Sequence, residues 1–418
     1  MQEVLDSIVS KLKDAELFLV INKSKKVSIE NSKLVELNSG YEMGIAVRVE
    51  RNKKLGFAFA TVSGLEHLEE AVQWAYERAE RVAKASEEVP WWKGFPKSKC
   101  SQPPGLYSSV LENYSVEELY NLAKDFVSSI PEEFSVDSWI EVSVQEWCLA
   151  NTEGTQYCER VTEGSSMVSV SKKIDGRLTK SVWDLETSHA KLPRPEEVLK
   201  GLLPDAERLT LKPKRIKGEY TVLLDPRAVY ELLDFLMDAF SAQEVIAGHS
   251  PIKVNEKMFS EKLNVVDNPS LPGGPDSHGC DHEGIKAKPL DLISDGVVKA
   301  LLGDLRWGYK VGFVGRGFRS SYASPPSSSY TNLTVLGGEG AEGDVRVLGL
   351  TGLHTASPET GYMSVVLSPA FMNDEHVEAT MSGNLYEFLN EKLEGVGRLG
   401  RWVASVFTPP ISVRARLD

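Results

Sequence analysis

The stretch from Gly218 to Phe240 constrains the fold more than any other, because it specifies a strand, a corner and a long helix in that order. Tyr220 to Leu224 is a short apolar run of β-favouring residues. Asp225 and Pro226 then end the strand, since Asp accepts hydrogen bonds from the free amides of a helix start and Pro fits the first turn. The stretch therefore predicts a buried strand that turns sharply into a helix.

The helix after this corner is predicted to be amphipathic. Its apolar residues recur at i, i+3, i+4, i+7, i+8 and i+11, which is one full helical stripe: Val229, Leu232, Leu233, Leu236, Met237 and Phe240. Charged residues fall on the other face: Arg227, Glu231, Asp234 and Asp238. The apolar stripe is expected to join a core, so any function of this helix is expected on the polar face.

The first half of the chain predicts an N-terminal antiparallel β-meander with packed helices, because strand patterns follow one another without intervening helices. The strands are expected at Leu17–Ile21, Lys26–Glu30, Lys33–Leu37, Gly44–Glu50 and Leu55–Thr61, with turns at Asn22–Ser24, Asn31–Ser32 and Asn52–Lys53. Capping-box spacings at Ser63–Glu66 and Ser115–Glu118 predict helices that reach about Lys84 and Ile130. Further strands are expected from Ser135 to Leu185, and a helix from Pro195 to Glu207.

The second half predicts a β-rich domain with a few helices, so the fold class is α+β with domains at 1–210 and 211–418. Helices are expected at Lys299–Tyr309 and Asn384–Leu393, and a hairpin at Leu290–Val298. The Gly-, Ser- and Pro-rich segment Gly315–Ser329 is expected to be an exposed arm or the edge of a groove.

Charge and cysteine content restrict the classes of function. The formal charge of −13 makes nucleic acid an unlikely partner, because an acidic surface repels phosphates. There is no signal-peptide pattern and no long apolar run, which predicts a cytoplasmic protein that does not enter a membrane. The four cysteines have no C-x-x-C spacing and no disulfide-framework density, so a reducing compartment is expected.

One polar cluster could carry chemistry, whereas nucleotide-binding glycine motifs and the Gly-x-Ser-x-Gly elbow are absent. The segment from His278 to Gly284 contains four possible metal ligands, which are His278, Cys280, His282 and Glu283. Their spacing fits no known zinc pair, and flanking glycines equally fit a turn with hydrogen-bonding side chains. Both interpretations stay open.

Several segments carry a family resemblance that runs nearly end to end. They are Ser39–Gly44, Asn151–Gly154, Gly218–Pro226, Asp281–Gly284, Ile293–Val298, Ser357–Gly361 and Met381–Leu385. In their order and spacing the chain resembles the TldD/TldE (PmbA) family, once called modulators of DNA gyrase.

The resemblance implies a two-part metalloprotease. The TldD-type subunit has H-E-x-x-x-H on the helix after the strand-Asp-Pro corner and a zinc-binding cysteine near its C-terminus. At these helix positions this chain has Asp234, Phe235 and Ala239, and its segment Gly395–Asp418 contains no cysteine. At most one ligand therefore remains, and Phe235 cannot act as a general base.

The resemblance thus implies a non-catalytic TldE/PmbA-like subunit with no cofactor of its own. Its expected partner is a TldD-type chain that holds zinc, with unfolded peptides as substrate and a homodimer possible when the chain is alone. One alternative is a self-sufficient metallopeptidase with a displaced metal site at His278, Cys280, His282 and Glu283. A second alternative is a non-proteolytic regulator or binding protein of the gyrase-modulator type.

Overall fold

The computed structural model describes residues 1–418, and it is an α+β structure. Three sheets account for most of the regular structure, and nine α-helices pack around them. The helices are α1 (Gln2–Val9), α2 (Leu68–Ala85), α3 (Ser109–Glu112), α4 (Val116–Ser129), α5 (Pro195–Glu207), α6 (Pro226–Ala239), α7 (Ala242–Ala247), α8 (Leu305–Val311) and α9 (Leu385–Phe388). No helix is long and apolar enough to span a membrane.

The first half forms one six-stranded antiparallel sheet in the order β3-β2-β1-β4-β5-β6. Its strands are β1 (Ala15–Glu30), β2 (Lys33–Arg51), β3 (Lys54–Thr61), β4 (Phe134–Asn151), β5 (Gln156–Ile174) and β6 (Arg177–Ser188). Alternate residues of β1 pack against the helices: Leu17 and Leu19 lie in a cluster with α1 and α2, and Val27 and Ile29 in a cluster with α4 and α5. Because side chains alternate along a strand, the helices cover one face of this sheet.

The second half contains an eight-stranded and a six-stranded sheet. The larger has the order β16-β17-β15-β8-β22-β18-β7, with β19 beside β22, and the smaller β11-β10-β9-β14-β21-β20. The strands are β7 (Lys214–Arg215), β8 (Gly218–Leu224), β9 (Val265–Asp267), β10 (Leu290–Ser294), β11 (Val297–Val298), β12 (Gly317–Phe318), β13 (Ser327–Ser328), β14 (Leu333–Val335), β15 (Val345–Val347), β16 (Leu350–Thr351), β17 (Tyr362–Met372), β18 (Glu375–Asn384), β19 (Leu393–Val396), β20 (Arg401–Val403), β21 (Val406–Thr408) and β22 (Ile411–Leu417). Strands β12 and β13 form a separate hairpin.

The predicted strand-corner-helix unit is confirmed and lies at the centre of the second half. Strand β8 pairs with β15 and β22, and the side chain of Asp225 caps α6 by accepting a hydrogen bond from the amide of Arg227 at 3.3 Å. The apolar stripe of α6 is buried in a cluster of 44 residues that includes both β8 and β22. On the polar face, Asp234 and Asp238 are exposed and Glu231 is half-buried, whereas Arg227 is buried beside the Asp225 carboxylate.

Several local predictions in the first half need correction. The turn at Asn22–Ser24 does not form, because β1 pairs there with both neighbours, as in Lys23 with Tyr41 and Val144. The turns at Asn31–Ser32 and Asn52–Lys53 are confirmed, with positive φ at both central residues as a type I′ hairpin requires. The Ser63 capping box is wrong, since a 3₁₀ turn (Leu65–His67) with no side-chain cap precedes α2.

Three predictions in the second half also need correction. The helix expected at Lys299–Tyr309 begins only at Leu305, after the cap Asp304, and the helix expected at Asn384–Leu393 ends at Phe388. The segment Gly315–Ser329 is not simply an exposed arm, because the hairpin β12–β13 and two buried arginines lie within it. The segment packs against the helix-free face of the first sheet, where Tyr322 joins a cluster with Phe18 and Trp147.

The cysteines differ from expectation, since the structure pairs all four. Cys148 and Cys158 lie opposite each other on β4 and β5, with their Cα atoms 4.1 Å apart. Cys100 and Cys280 join two loops that are 180 residues apart in sequence. No spacing rule in the sequence indicated either pair.

The Ser115–Glu118 capping box is confirmed, and it supports a stability prediction. The amide of Glu118 donates to Ser115 Oγ at 3.1 Å, and the amide of Ser115 donates to the Glu118 carboxylate at 2.7 Å. Ser115→Ala is expected to lower the free energy of unfolding by about 1 kcal/mol, because it removes a cap from α4. Urea denaturation would measure this. Ser63→Ala, at the position where no cap forms, is the control and is expected to have no measurable effect.

Candidate functional site

The polar face of α6 is the first candidate site, because the family resemblance places a metal motif on this helix. Asp234 is exposed, and its carboxylate accepts a hydrogen bond from the Tyr330 hydroxyl at 2.6 Å. Phe235 is half-buried and packs against the core, and Ala239 is buried. The backbone carbonyl of Ala239 accepts a hydrogen bond from the Ser250 hydroxyl at 2.6 Å. These three positions therefore hold one carboxylate, one ring and one methyl group.

Two acidic residues of this face, Glu231 and Asp238, have raised pKa values. Burial raises the pKa of Glu231 to about 7, although the amide of Leu350 donates to its carboxylate at 2.6 Å. Burial and the neighbouring carboxylates of Asp234 and Glu244 raise the pKa of Asp238. Burial and the Asp234 carboxylate also raise the pKa of the Tyr330 phenol, so this group stays a hydrogen-bond donor.

A pocket of about 470 Å³ lies at the C-terminal end of this face. Its lining is mainly polar and includes Asp238, Gln243, Glu244, His249, Ser327 and Glu359. His249 lies 3.3 Å from a carboxylate oxygen of Glu244, and His354 lies elsewhere in an exposed 3₁₀ turn. The single imidazole of this pocket is thus paired with a carboxylate.

The residues of α6 do not fit the zinc that the family motif would hold. Zinc in a hydrolytic site takes three protein ligands, usually with imidazole or thiolate among them. Position 234 offers one carboxylate, of which one oxygen accepts a hydrogen bond from Tyr330, and positions 235 and 239 offer no ligand atom. Nowhere in the chain do three or more His, Cys, Asp or Glu side chains converge in a way that could bind a metal ion.

The second candidate site, His278 to Glu283, lies at the contact between the two halves of the chain. His278 lies between the carboxylates of Glu159, at 3.1 Å, and Asp276, at 3.0 Å. His282 packs against Trp147, with ring centroids 5.0 Å apart, and its Nδ1 accepts the amide of Arg319 at 3.0 Å. His278 is thus bonded to two carboxylates, and His282 is bonded through Nδ1, whereas the buried Nε2 atom of His282 has no hydrogen-bond partner.

The other two residues of this segment also have partners within the protein. Cys280 is disulfide-bonded to Cys100, and Glu283 accepts from the guanidinium of Arg48 and from the amide of Leu305. The displaced metal site that the sequence allowed therefore does not form, because its four side chains have four different structural partners. The turn with hydrogen-bonding side chains is the interpretation that the structure supports.

A buried ion network around Glu283 is the main feature that the sequence did not indicate. Arg48 donates to both Glu16 and Glu283, and Arg319 donates to Glu16 at 2.8 Å. All four side chains are buried. Because Glu16 and Glu283 are 267 positions apart in sequence, no local pattern could have found the network. It joins β1 and β2 to the second half of the chain.

The comparisons with known proteins agree with this architecture. A family model described as the PmbA/TldA metallopeptidase C-terminal domain matches residues 217–416, and one described as PmbA/TldA metallopeptidase domain 1 matches residues 15–79. An uncharacterized protein of Methanocaldococcus jannaschii is 24% identical over 395 residues, covering 91% of each chain. A protein of the same organism named a metalloprotease is 20% identical over 310 residues, covering 69% of this chain and 65% of that protein.

A solved structure shows the same fold over the whole length. The crystal structure of TldE from Thermococcus kodakarensis superposes with a TM-score of 0.87 at 20% sequence identity, covering 100% of this chain and 99% of that chain. The two halves of the fold and their order are therefore shared with that protein.

Proposed function

This chain belongs to the PmbA/TldD family, and from that premise we propose that it is the non-catalytic, TldE-like subunit of a cytoplasmic metalloprotease complex. In this complex a TldD-type partner binds the zinc ion and cleaves unfolded peptides. The present chain pairs with that partner and helps to enclose the peptide.

A single observation carries the proposal: α6 keeps the scaffold of the family's metal helix without its ligands. The corner at Asp225, the cap and the buried apolar stripe are all formed. At the positions of the motif, Phe235 is half-buried against the core and the methyl group of Ala239 is buried. A water molecule cannot be activated here, because there is neither a metal-binding set nor a general base at the position of the motif glutamate.

The two alternatives receive less support. A self-sufficient metallopeptidase would need the site at His278 to Glu283, whose side chains are held by other partners. A regulator that binds DNA would have to overcome the formal charge of −13. Strong, salt-dependent binding of duplex DNA by the purified chain would revive the second alternative.

Reconstitution of peptide hydrolysis tests the proposal. The chain alone, a TldD-type chain alone and their mixture are incubated with an unfolded, fluorescently quenched peptide. We expect no cleavage by the chain alone and cleavage by the mixture. Asp234→Ala is expected to leave the activity of the mixture within about twofold, whereas replacing the motif glutamate of the partner should abolish it. Cleavage by the chain alone would overturn the proposal.

A further inference from the structure

The N-terminal sheet has a free edge at residues 36–42 of β2. Strand β3 pairs with β2 only from Gly44 to Arg51, and the last bond on that side joins the Val62 amide to the Met43 carbonyl at 2.9 Å. Before Met43, β2 pairs with β1 alone. Over these seven residues, no strand therefore pairs with the side of β2 that faces away from β1.

The backbone of this free edge offers unused hydrogen-bonding groups. The Met43 carbonyl points toward the β3 side, and backbone groups alternate along a strand. The amides and carbonyls of Tyr41, Ser39 and Leu37 consequently point the same way, and none of them has a side-chain partner on that side. Native proteins often protect such an edge with proline or with charged side chains. The free edge contains no proline, and its charged side chains are Glu36 and Glu42.

The side chains of the free edge divide into an apolar and an acidic face. Leu37 and Tyr41 share one face and are 45% and 59% exposed. Glu36 and Glu42 share the other face, and they are the only charged residues of the segment. Neither carboxylate takes part in an ion pair, and Glu36 only accepts a 3.4 Å hydrogen bond from the neighbouring Asn38 side chain.

A pocket adjoins the end of the free edge. It has a volume of about 520 Å³ and is lined in part by Phe59, Val62, Glu70 and Trp74. Trp74 is 47% exposed and Phe59 is 42% exposed. Because Val62 makes the last bond to β2, a strand added along the free edge would begin beside this pocket. An added strand could therefore pair with the free edge and place an apolar side chain in this pocket.

We propose that the free edge binds an extended peptide segment with alternating apolar and basic residues, which adds as a further antiparallel strand. Backbone pairing with Leu37, Ser39 and Tyr41 would supply affinity, and the two faces would supply selectivity. Apolar side chains lie beside Leu37 and Tyr41, and basic side chains lie beside Glu36 and Glu42, which complements the charge. The choice of a peptide rests on the proposed function, since a peptidase subunit encounters unfolded chains.

Binding of two short peptides to the lone chain tests this site. Fluorescence anisotropy is measured with labelled Lys-Val-Lys-Val-Lys-Val-Lys and with Glu-Val-Glu-Val-Glu-Val-Glu. We expect the basic peptide to bind at least tenfold more tightly, and Glu36→Lys/Glu42→Lys to reverse the preference. Because residues opposite Leu37 and Tyr41 bond to the edge, N-methylation of the valines should abolish binding, whereas N-methylation of the lysines should not.

A matched pair of variants checks the location. Ser39→Pro removes an outward amide without removing a bond to β1 and is expected to weaken binding at least tenfold, while Ser39→Ala should bind as the wild type. Unchanged binding by Ser39→Pro, or dimerisation of the chain through this edge in sedimentation, would overturn the inference. Zinc content of the same sample separates this inference from the proposed function. A zinc-free chain that binds no peptide would contradict the peptide-binding edge but not the proposal of a non-catalytic subunit.

Discussion

Arg48→Met is expected to lower the free energy of unfolding by about 3–5 kcal/mol, because it leaves two buried carboxylates without their shared partner. Arg48 donates to Glu16 with two nitrogens and to Glu283 with a third, and all three side chains are buried. The network also joins β1 and β2 to the loop between β9 and β10, where Glu283 lies, so the loss should loosen the contact between the two halves of the chain.

Urea denaturation of matched variants measures this effect. Arg414→Met is the control, since its 2.8 Å ion pair with Glu394 is at the surface and its side chain is 65% exposed. Its expected cost is at most about 1 kcal/mol. Arg48→Met/Glu283→Gln should recover part of the loss, because it also removes a buried carboxyl group that has lost its guanidinium partner. Equal urea midpoints for Arg48→Met and Arg414→Met would contradict the prediction, because the buried network would then contribute no more to stability than one surface ion pair.

The second large effect is a fall in stability at alkaline pH, which His278 dominates. Burial alone would lower the pKa of His278, but hydrogen bonds and attraction from the Asp276 and Glu159 carboxylates outweigh it and raise this pKa to about 10. The folded chain therefore holds a proton that the unfolded chain releases near pH 6.5. This contribution to stability is complete below pH 6.5 and disappears as the pH rises toward 10.

Glu283 adds to the fall over a lower range of pH. Burial raises the pKa of its carboxyl to about 8, although attraction to Arg48 opposes the shift. The folded state then binds more protons than the unfolded state between about pH 4.5 and 8, so stability decreases there as well. Only the His278 contribution should remain between about pH 8 and 9.5.

Denaturation curves at several pH values check this assignment. In the wild type, the free energy of unfolding should fall between pH 8 and 9.5, by an amount with an upper limit on the order of 5 kcal/mol over the full range from 6.5 to 10. His278→Gln should flatten this part of the profile, and His249→Gln, which alters an exposed side chain, should not. A profile that His278→Gln leaves unchanged would contradict the assignment.

The sequence predicted those elements whose signals are local. The strand-Asp-Pro corner, the apolar stripe of α6 and the capping box at Ser115 each depend on residues that are close together in sequence, and each is formed. At Asn22 the predicted turn does not form, because β1 pairs there with a strand on each side. Propensity is a weak guide wherever two neighbours supply a full ladder of hydrogen bonds.

The contacts between distant segments could not be predicted. Arg48 with Glu283, Cys100 with Cys280 and Tyr330 with Asp234 are separated by 96 to 235 positions. The first two pairs depend on the packing of the two halves, and the third depends on packing within the second half. The sequence did identify Asp234, Phe235 and Ala239 as the positions to examine. It could not show that a tyrosine hydroxyl bonds to the one possible ligand among them.

Zinc content of the lone chain tests the central claim most directly. The purified protein is equilibrated with a small excess of zinc and passed through a desalting column, and its zinc content is then measured by elemental mass spectrometry. A TldD-type chain treated identically is the reference. We expect far less than one zinc ion per molecule for this chain and about one for the TldD-type chain. One tightly held zinc ion in the lone chain, accompanied by cleavage of an unfolded peptide, would contradict it.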